Sequence, residues 1–192
     1  MDFVEHVAKA QFKLFGIPIP KGHLVSIDDL SSPDGPVINS KEELTGPVAV
    51  KAQVPTGGRG KAGGIILSDN SQEAVRQLLG SRIGSHSVNQ VLVEEQLTIV
   101  AELYLAIATD GLLGSPVLMF SPSGGVDVES DGDRVHHFAL AIDQPPSAEG
   151  LTEFLSRSSC PEPVASVADV AAKLYQCYLA CLLYTSPSPR DS

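Results

Sequence analysis

Apolar positions change period several times along the chain, and each change marks an element. Val4, Ala8, Phe12 and Phe15 recur at helical spacing and predict a helix over residues 2–15, with Asp2 as N-cap and Gly16 as stop. Pro18 and Pro20 then force an extended turn, and residues 22–25 read as a short strand. Ser31-Ser32-Pro33-Asp34-Gly35-Pro36 breaks any helix, and Ser40-Lys41-Glu42-Glu43 is a capping box for one helical turn. The valine-rich run from Val48 to Val54, bounded by Gly46-Pro47 and Pro55, fits a buried strand better than a helix; Gly64-Ile65-Ile66-Leu67 opens a second. Residues 71–79 predict a helix with Ala74, Val75, Leu78 and Leu79 inward and Gly80 at its end. Residues 82–87 read as loop, and 88–95 as a strand ending in Glu94 and Glu95.

The second half begins with four short strands, 104–108, 116–120, 126–128 and 135–141, whose Gly- and Ser-rich turns suggest an antiparallel sheet. Asp127 and Glu129 alternate with apolar neighbours, which favours the outward face of a strand over a metal site. On a regular strand His136 and His137 point to opposite faces and cannot form one site. Pro145-Pro146 end the sheet, 148–156 is a short helix, and 166–180 a clearer one with Val167, Val170, Ala171, Leu174, Cys177 and Tyr178 on its apolar face. The elements give an α/β chain of the α+β kind.

One stretch carries chemistry. Lys51 stands inside a buried strand, where an ammonium costs desolvation unless an anion meets it. Five glycines then fall within residues 57–64, letting backbone N–H groups approach a ligand that a Cβ would hold off, and Arg59 and Lys61 add positive charge. That combination suits a polyphosphate. Gly58-x-Gly60-x-x-Gly63 matches the dinucleotide pattern by letter, but a strand rather than a helix follows it. A Walker A loop fails on Pro55 and Ala62. What remains is a glycine-rich hairpin folding over phosphates, with a lysine on the neighbouring strand. The plain alternative is a flexible surface loop. Glu94 and Glu95 lie at a strand's carboxyl end, where α/β ligands gather, although acidic pairs are also ordinary surface features.

The 192 residues allow one domain or two small lobes. A net charge of −10 argues against nucleic-acid or anionic-membrane partners and sets off the local cluster of Lys51, Arg59 and Lys61. The sequence has no signal-peptide pattern and no membrane-length apolar run, which predicts a cytoplasmic location. Cys160, Cys177 and Cys181 lack metal-type pairing and read as reduced thiols.

Val50-Lys51-Ala52-Gln53-Val54 followed by Gly57-Gly58-Arg59-Gly60-Lys61-Ala62-Gly63-Gly64 resembles the ATP-grasp domain of succinate–CoA ligase β subunits and their ADP-forming acyl-CoA ligase relatives. The likeness extends from Ala8-Lys9-x-x-Phe12 and Gly16-Ile17-Pro18-Ile19-Pro20-x-Gly22 through Val91-Leu92-Val93-Glu94, Glu102-Leu103-Tyr104-Leu105 and Gly124-Gly125-Val126-Asp127-Val128-Glu129, nearly to Ala180. It implies a two-lobed ATP-grasp fold, incomplete at the carboxyl end, with nucleotide between the second lobe and the glycine hairpin. It further implies a nucleotide site of Lys51, Gly58, Arg59, Gly60, Glu94, Leu97 and Glu102: Lys51 and the loop on phosphate, Glu94 and its linker against adenine, Leu97 through backbone groups, Glu102 on the ribose. Pro20 resembles the family's ATP-type gate.

The resemblance also sets expectations for the whole protein. Those are the reaction succinate + CoA + ATP ⇌ succinyl-CoA + ADP + phosphate of the tricarboxylic acid cycle, magnesium, CoA and a dicarboxylic acid, and an α subunit that carries the phosphorylated histidine. No catalytic residue is assigned to this chain. The family's magnesium-holding asparagine and aspartate are expected beyond residue 180, so no metal ligand is assigned, and the chain alone is expected to be inactive. Residues 1–180 are the expected nucleotide-binding domain. Residues 181–192, from Cys181-Leu182-Leu183-Tyr184-Thr185, resemble a translated sequencing-library adapter and are set apart as a non-native tail. A malate- or citrate-type CoA ligase shares the same lobe chemistry. A non-catalytic nucleotide- or nucleic-acid-binding module built on Gly-Gly-Arg-Gly-Lys is the rival of another class, and it predicts steep salt dependence.

Overall fold

A computed structural model describes residues 4–31, 44–112, 114–125, 128 and 134–185. The chain forms two compact units. The first comprises Met1–Gln11 and Pro18–Thr98, the second Phe12–Ile17 and Ile99–Ser192. The capping box at 40–43 and the carboxylates Asp127 and Glu129 lie outside the described residues.

The first unit is built on a four-stranded antiparallel sheet in the order β1–β6–β2–β3, from β1 (Gly22–Ser26), β2 (Val48–Ala52), β3 (Ile65–Ser68) and β6 (Gln90–Glu95). Period-two alternation gives β2 two buried faces of different chemistry. Val48, Val50 and Ala52 face the apolar core with Val25, Val91 and Val93, and helix α2 (Ser71–Leu78) covers it through Ala74, Val75 and Leu78. That helix starts where the Asn70 side chain accepts the Glu73 N–H at 3.2 Å, and it gives way to Gly80 at a φ of +77°. Burying such valines contributes about 1.5–3 kcal/mol each, so this face dominates the unit's stability.

The opposite face carries Ala49, Lys51, Leu92 and Glu94, because Lys51 is registered with Leu92 and Ala49 with Glu94. Helix α1 (Glu5–Leu14) meets this face through polar groups: the Gln53 carboxamide oxygen accepts the His6 N–H at 3.0 Å, and Lys9 donates to Glu94. None of the helix's residues is fully buried. The apolar stripe predicted for it is therefore only part of its docking, and its charged side supplies the rest. Ile27–Ser31 form a 3-10 turn. One further expectation shifts: 82–87 close as a small hairpin of β4 (Arg82–Ile83) and β5 (His86–Ser87) rather than an open loop. Two residues per strand are too few for an alternation to show in sequence.

The second unit has an antiparallel sheet in the order β7–β8–β9, from β7 (Tyr104–Thr109), β8 (Pro116–Ser121) and β9 (His136–Ala139). Of the strand expected at 126–128 only Val128 is described, and it is buried outside any strand. Helices α3 (Ala148–Arg157) and α4 (Val164–Thr185) pack on Leu118, Phe120 and Leu140. The buried seam of α4 is Val164, Ala168, Ala171, Tyr175 and Cys177, rotated from the predicted face; Val170, Leu174 and Tyr178 are only partly covered. Tyr175 decides the rotation, since its ring fills the core while its hydroxyl donates to the Ala141 carbonyl at 2.5 Å. The helix also continues to Thr185, five residues past the predicted end at 180. No described helix is long and apolar enough to cross a membrane.

Candidate functional site

The β2–β3 connection turns on glycine. Gly58 and Gly63 adopt φ of +66° and +78°, a region that costs other residues about 1–2 kcal/mol. Gly64 closes the turn so tightly that an added Cβ would stand 3.0 Å from the Arg59 carbonyl oxygen. Inside the loop the carbonyls of Gly58, Arg59 and Gly60 accept N–H groups from Ala62, Gly64 and Gly63, at 3.3, 2.8 and 3.2 Å. The reverse does not hold. Among the described residues, the N–H groups of Gly58, Arg59 and Gly60 donate to no backbone carbonyl, and a Cβ on Gly57 or Gly58 would meet nothing within 4 Å. Three donors without a close backbone acceptor thus lie on a glycine-rich turn, which is the form of an anion nest.

Beside this loop, on the polar face of the first sheet, five charged side chains converge. Glu94, 2% exposed, accepts from Lys9 at 2.5 and 2.6 Å and from Lys51 at 2.7 Å. Glu5, one turn before Lys9, accepts from Lys9 at 2.7 Å and from Lys51 at 3.2 Å through one oxygen, and from the Arg59 guanidinium through the other. The anion that a mid-strand lysine demands is thus supplied internally, by Glu94 and Glu5. Burial pushes Lys9 below the ordinary lysine range, opposed by its bond to Glu94 and reinforced by the neighbouring Lys51 charge. Burial likewise lowers Arg59, and the Glu94 charge opposes it. Three cations face two carboxylates, so the cluster keeps a net positive charge.

Gly22, the β1 residue opposite Glu94, makes room for that carboxylate: a Cβ there would lie 2.6 Å from the Val93 carbonyl oxygen and 2.7 Å from Glu94 Cγ. The structure brings Lys51, Arg59 and Glu94 into one cluster, with Glu94 paired to Lys51. Glu5 and Lys9 were not foreseen in that role. They read as the polar side of an amphipathic helix, and their i, i+4 spacing was the available signal. Leu97 lies just past β6 and is 54% exposed. Glu102 belongs to the second unit, where its carbonyl accepts the Gly124 N–H at 2.7 Å. Among the described residues, no three His, Cys, Asp or Glu side chains gather into a metal-holding group.

A family model described as an ATP-grasp domain matches residues 2–183. The chain belongs to the ATP-grasp family. Among curated relatives, the succinate–CoA ligase [ADP-forming] β subunit of Methanocaldococcus jannaschii is 35% identical over 187 residues, covering 93% of this chain and 49% of that protein. The same subunit of Halobacterium salinarum is 42% identical over 163 residues, covering 83% and 41%, and that of Aquifex aeolicus 35% identical over 191, covering 93% and 48%. The chain thus spans about half the length of the curated relatives it matches. Among solved structures, a dinucleotide-forming acetyl-coenzyme A synthetase 1 of Ca. Korarchaeum cryptofilum, in complex with coenzyme A, Ca-AMPCP and HgCl+, superposes with a TM-score of 0.67 at 21% identity, covering 91% of this chain and 79% of that one. PH1788 of Pyrococcus horikoshii superposes with a TM-score of 0.61 at 19% identity, covering 94% and 78%. Both share the ATP-grasp fold. The match also runs to residue 183, three residues into the segment set apart as a tail.

Proposed function

We propose that this chain is the nucleotide-binding part of the β subunit of an ADP-forming succinate–CoA ligase. The observation that carries the reading is the glycine loop, with the N–H groups of Gly58, Arg59 and Gly60 lacking a close backbone acceptor among the described residues beside a cation-rich cluster that includes Lys51 and Arg59. Such a surface receives the phosphates of ATP or ADP. Lys51 and Arg59 supply charge, and the three N–H groups supply direction. At the other end of β6, the Glu95 and Gln96 N–H groups are committed to the carbonyls of Lys21 and Pro47 at 2.9 Å, while the Leu97 N–H donates to no backbone carbonyl among the described residues. Leu97 is therefore the first backbone donor after the strand left for an adenine edge, and Glu94 acts there by fixing the strand's end. Glu102 takes the ribose hydroxyls.

In the whole protein the reaction is succinate + CoA + ATP ⇌ succinyl-CoA + ADP + phosphate, in the cytoplasm, with an α subunit as partner. Magnesium would neutralise the β and γ oxygens there, held by residues other than those assigned here. Residues 1–180 form the nucleotide-binding domain of that subunit, and the tail set apart at 181–192 is foreign to it beyond residue 183, where the family match ends. The relatives' shared name favours succinate over malate or citrate as the acid.

Calorimetric titration of ADP into the wild-type chain and Lys51→Ala tests the reading. Losing one charge-assisted contact costs about 1.5–3 kcal/mol, so the dissociation constant should rise roughly 10- to 150-fold. An unchanged constant in a folded variant removes Lys51 from the site.

A further inference from the structure

The cluster around Lys51 contains two carboxylates whose situations differ. Glu94 is 2% exposed and bound by two lysines, so it has no route to water. Glu5 has a side chain 20% exposed and stands in the first turn of α1, where the backbone is least restrained. Taking Glu5 away leaves Glu94 with both its partners. One carboxylate is fixed and the other is exchangeable.

The exchangeable one sits on the cations assigned to phosphate. Its two oxygens divide between Lys51 on one side and Arg59 on the other, with Lys9 as a third donor. It also holds the loop: among the described residues the backbone bonds of 58–63 stay within the turn, the Ala52 N–H to the Gly64 carbonyl at 2.8 Å fastens only its base to β2, and the ion pair from Arg59 to Glu5 ties the rest to α1. We propose that Glu5 is the nucleotide site's built-in competitor. In the nucleotide-free chain its carboxylate stands in for a phosphate and clamps the glycine loop on α1, and a polyphosphate must displace it. This rests on the nucleotide reading above. Displacement raises the cluster from three cations against two carboxylates to three against one, which brings its excess closer to the charge of a diphosphate. Glu5 therefore sets affinity rather than performing chemistry.

The test compares wild type, Glu5→Gln, Glu5→Asp and Lys51→Ala in two measurements. The first, made without nucleotide, is the rate of limited tryptic cleavage after Arg59 and Lys61. The second is ADP titration by calorimetry, with thermal unfolding as a check on folding. Glu5→Gln should be cut faster in the loop and should bind ADP roughly 10-fold tighter, since an internal anion no longer competes for the cations. Glu5→Asp keeps the charge at shorter reach and should fall between, which preserves the test if the glutamine variant does not fold. Cleavage at the wild-type rate overturns the clamp. Faster cleavage with weaker ADP binding overturns the competition and makes Glu5 a residue that positions Lys51 and Arg59. If no form of the chain, wild type included, binds ADP, the nucleotide reading falls and the competitor role with it, while the cleavage rates still decide the clamp.

Discussion

Glu94 is the residue on which the polar face of the first sheet depends. A carboxylate 2% exposed would be intolerable alone, and Lys9 and Lys51 make it tolerable. Replacing one partner of a buried ion pair costs about 3–5 kcal/mol, and Glu94→Ala should approach the lower end because both lysines retain some access to water. Urea denaturation of the variant measures that loss. His23 offers a second residue-scale test, because both its ring nitrogens are buried without a hydrogen-bond partner among the described residues and burial lowers its pKa from the usual 6.5. The unfolded chain then takes up the proton more readily than the folded one. Stability should be intact above pH 6.5 and fall as pH drops below it, and His23→Leu should remove that part of the pH dependence in thermal unfolding between pH 7 and 5.

Two elements depend on atoms that are absent or singular. Strand β1 approaches Glu94 only because Gly22 has no side chain, so Gly22→Ala must push β1 off β6 or turn the Glu94 carboxylate away from its lysines. Overpacking of this kind costs about 1–3 kcal/mol, and a lower melting temperature should accompany it. Helix α4 is oriented by Tyr175, whose hydroxyl reaches the Ala141 carbonyl at 2.5 Å from a side chain 1% exposed. Tyr175→Phe keeps the ring and loses the bond, for a cost of about 1–1.5 kcal/mol by denaturant titration. The longer strands and α2 were legible because their apolar periods are clean, whereas the two-residue strands β4 and β5 were not. The seam of α4 was not. Apolar residues lie nearly all round that helix, so the pattern leaves its rotation open until a partner fixes it.

For the molecule as a whole, ligand linkage and charge make the predictions. If nucleotide binds the folded chain alone, ADP at 100 times its dissociation constant should add about 2.7 kcal/mol of stability, read as a concentration-dependent rise in melting temperature. A net charge of −10 predicts no comparable shift with oligonucleotides at low salt; a shift would revive the rival reading of the glycine loop. Sequence alone determined the helices and strands with a clear period, the glycine hairpin and the grouping of Lys51 with Arg59, because these depend on neighbours within a few residues; the two-lobed class was implied by the resemblance to the ATP-grasp family. The tertiary structure alone decided that Glu5 and Lys9 share a cluster with residues up to 89 positions away, as Glu5 and Glu94 are, and that Gly22 clears space for a carboxylate on another strand. Those contacts follow from strand register and helix docking, and neither leaves a local periodic trace.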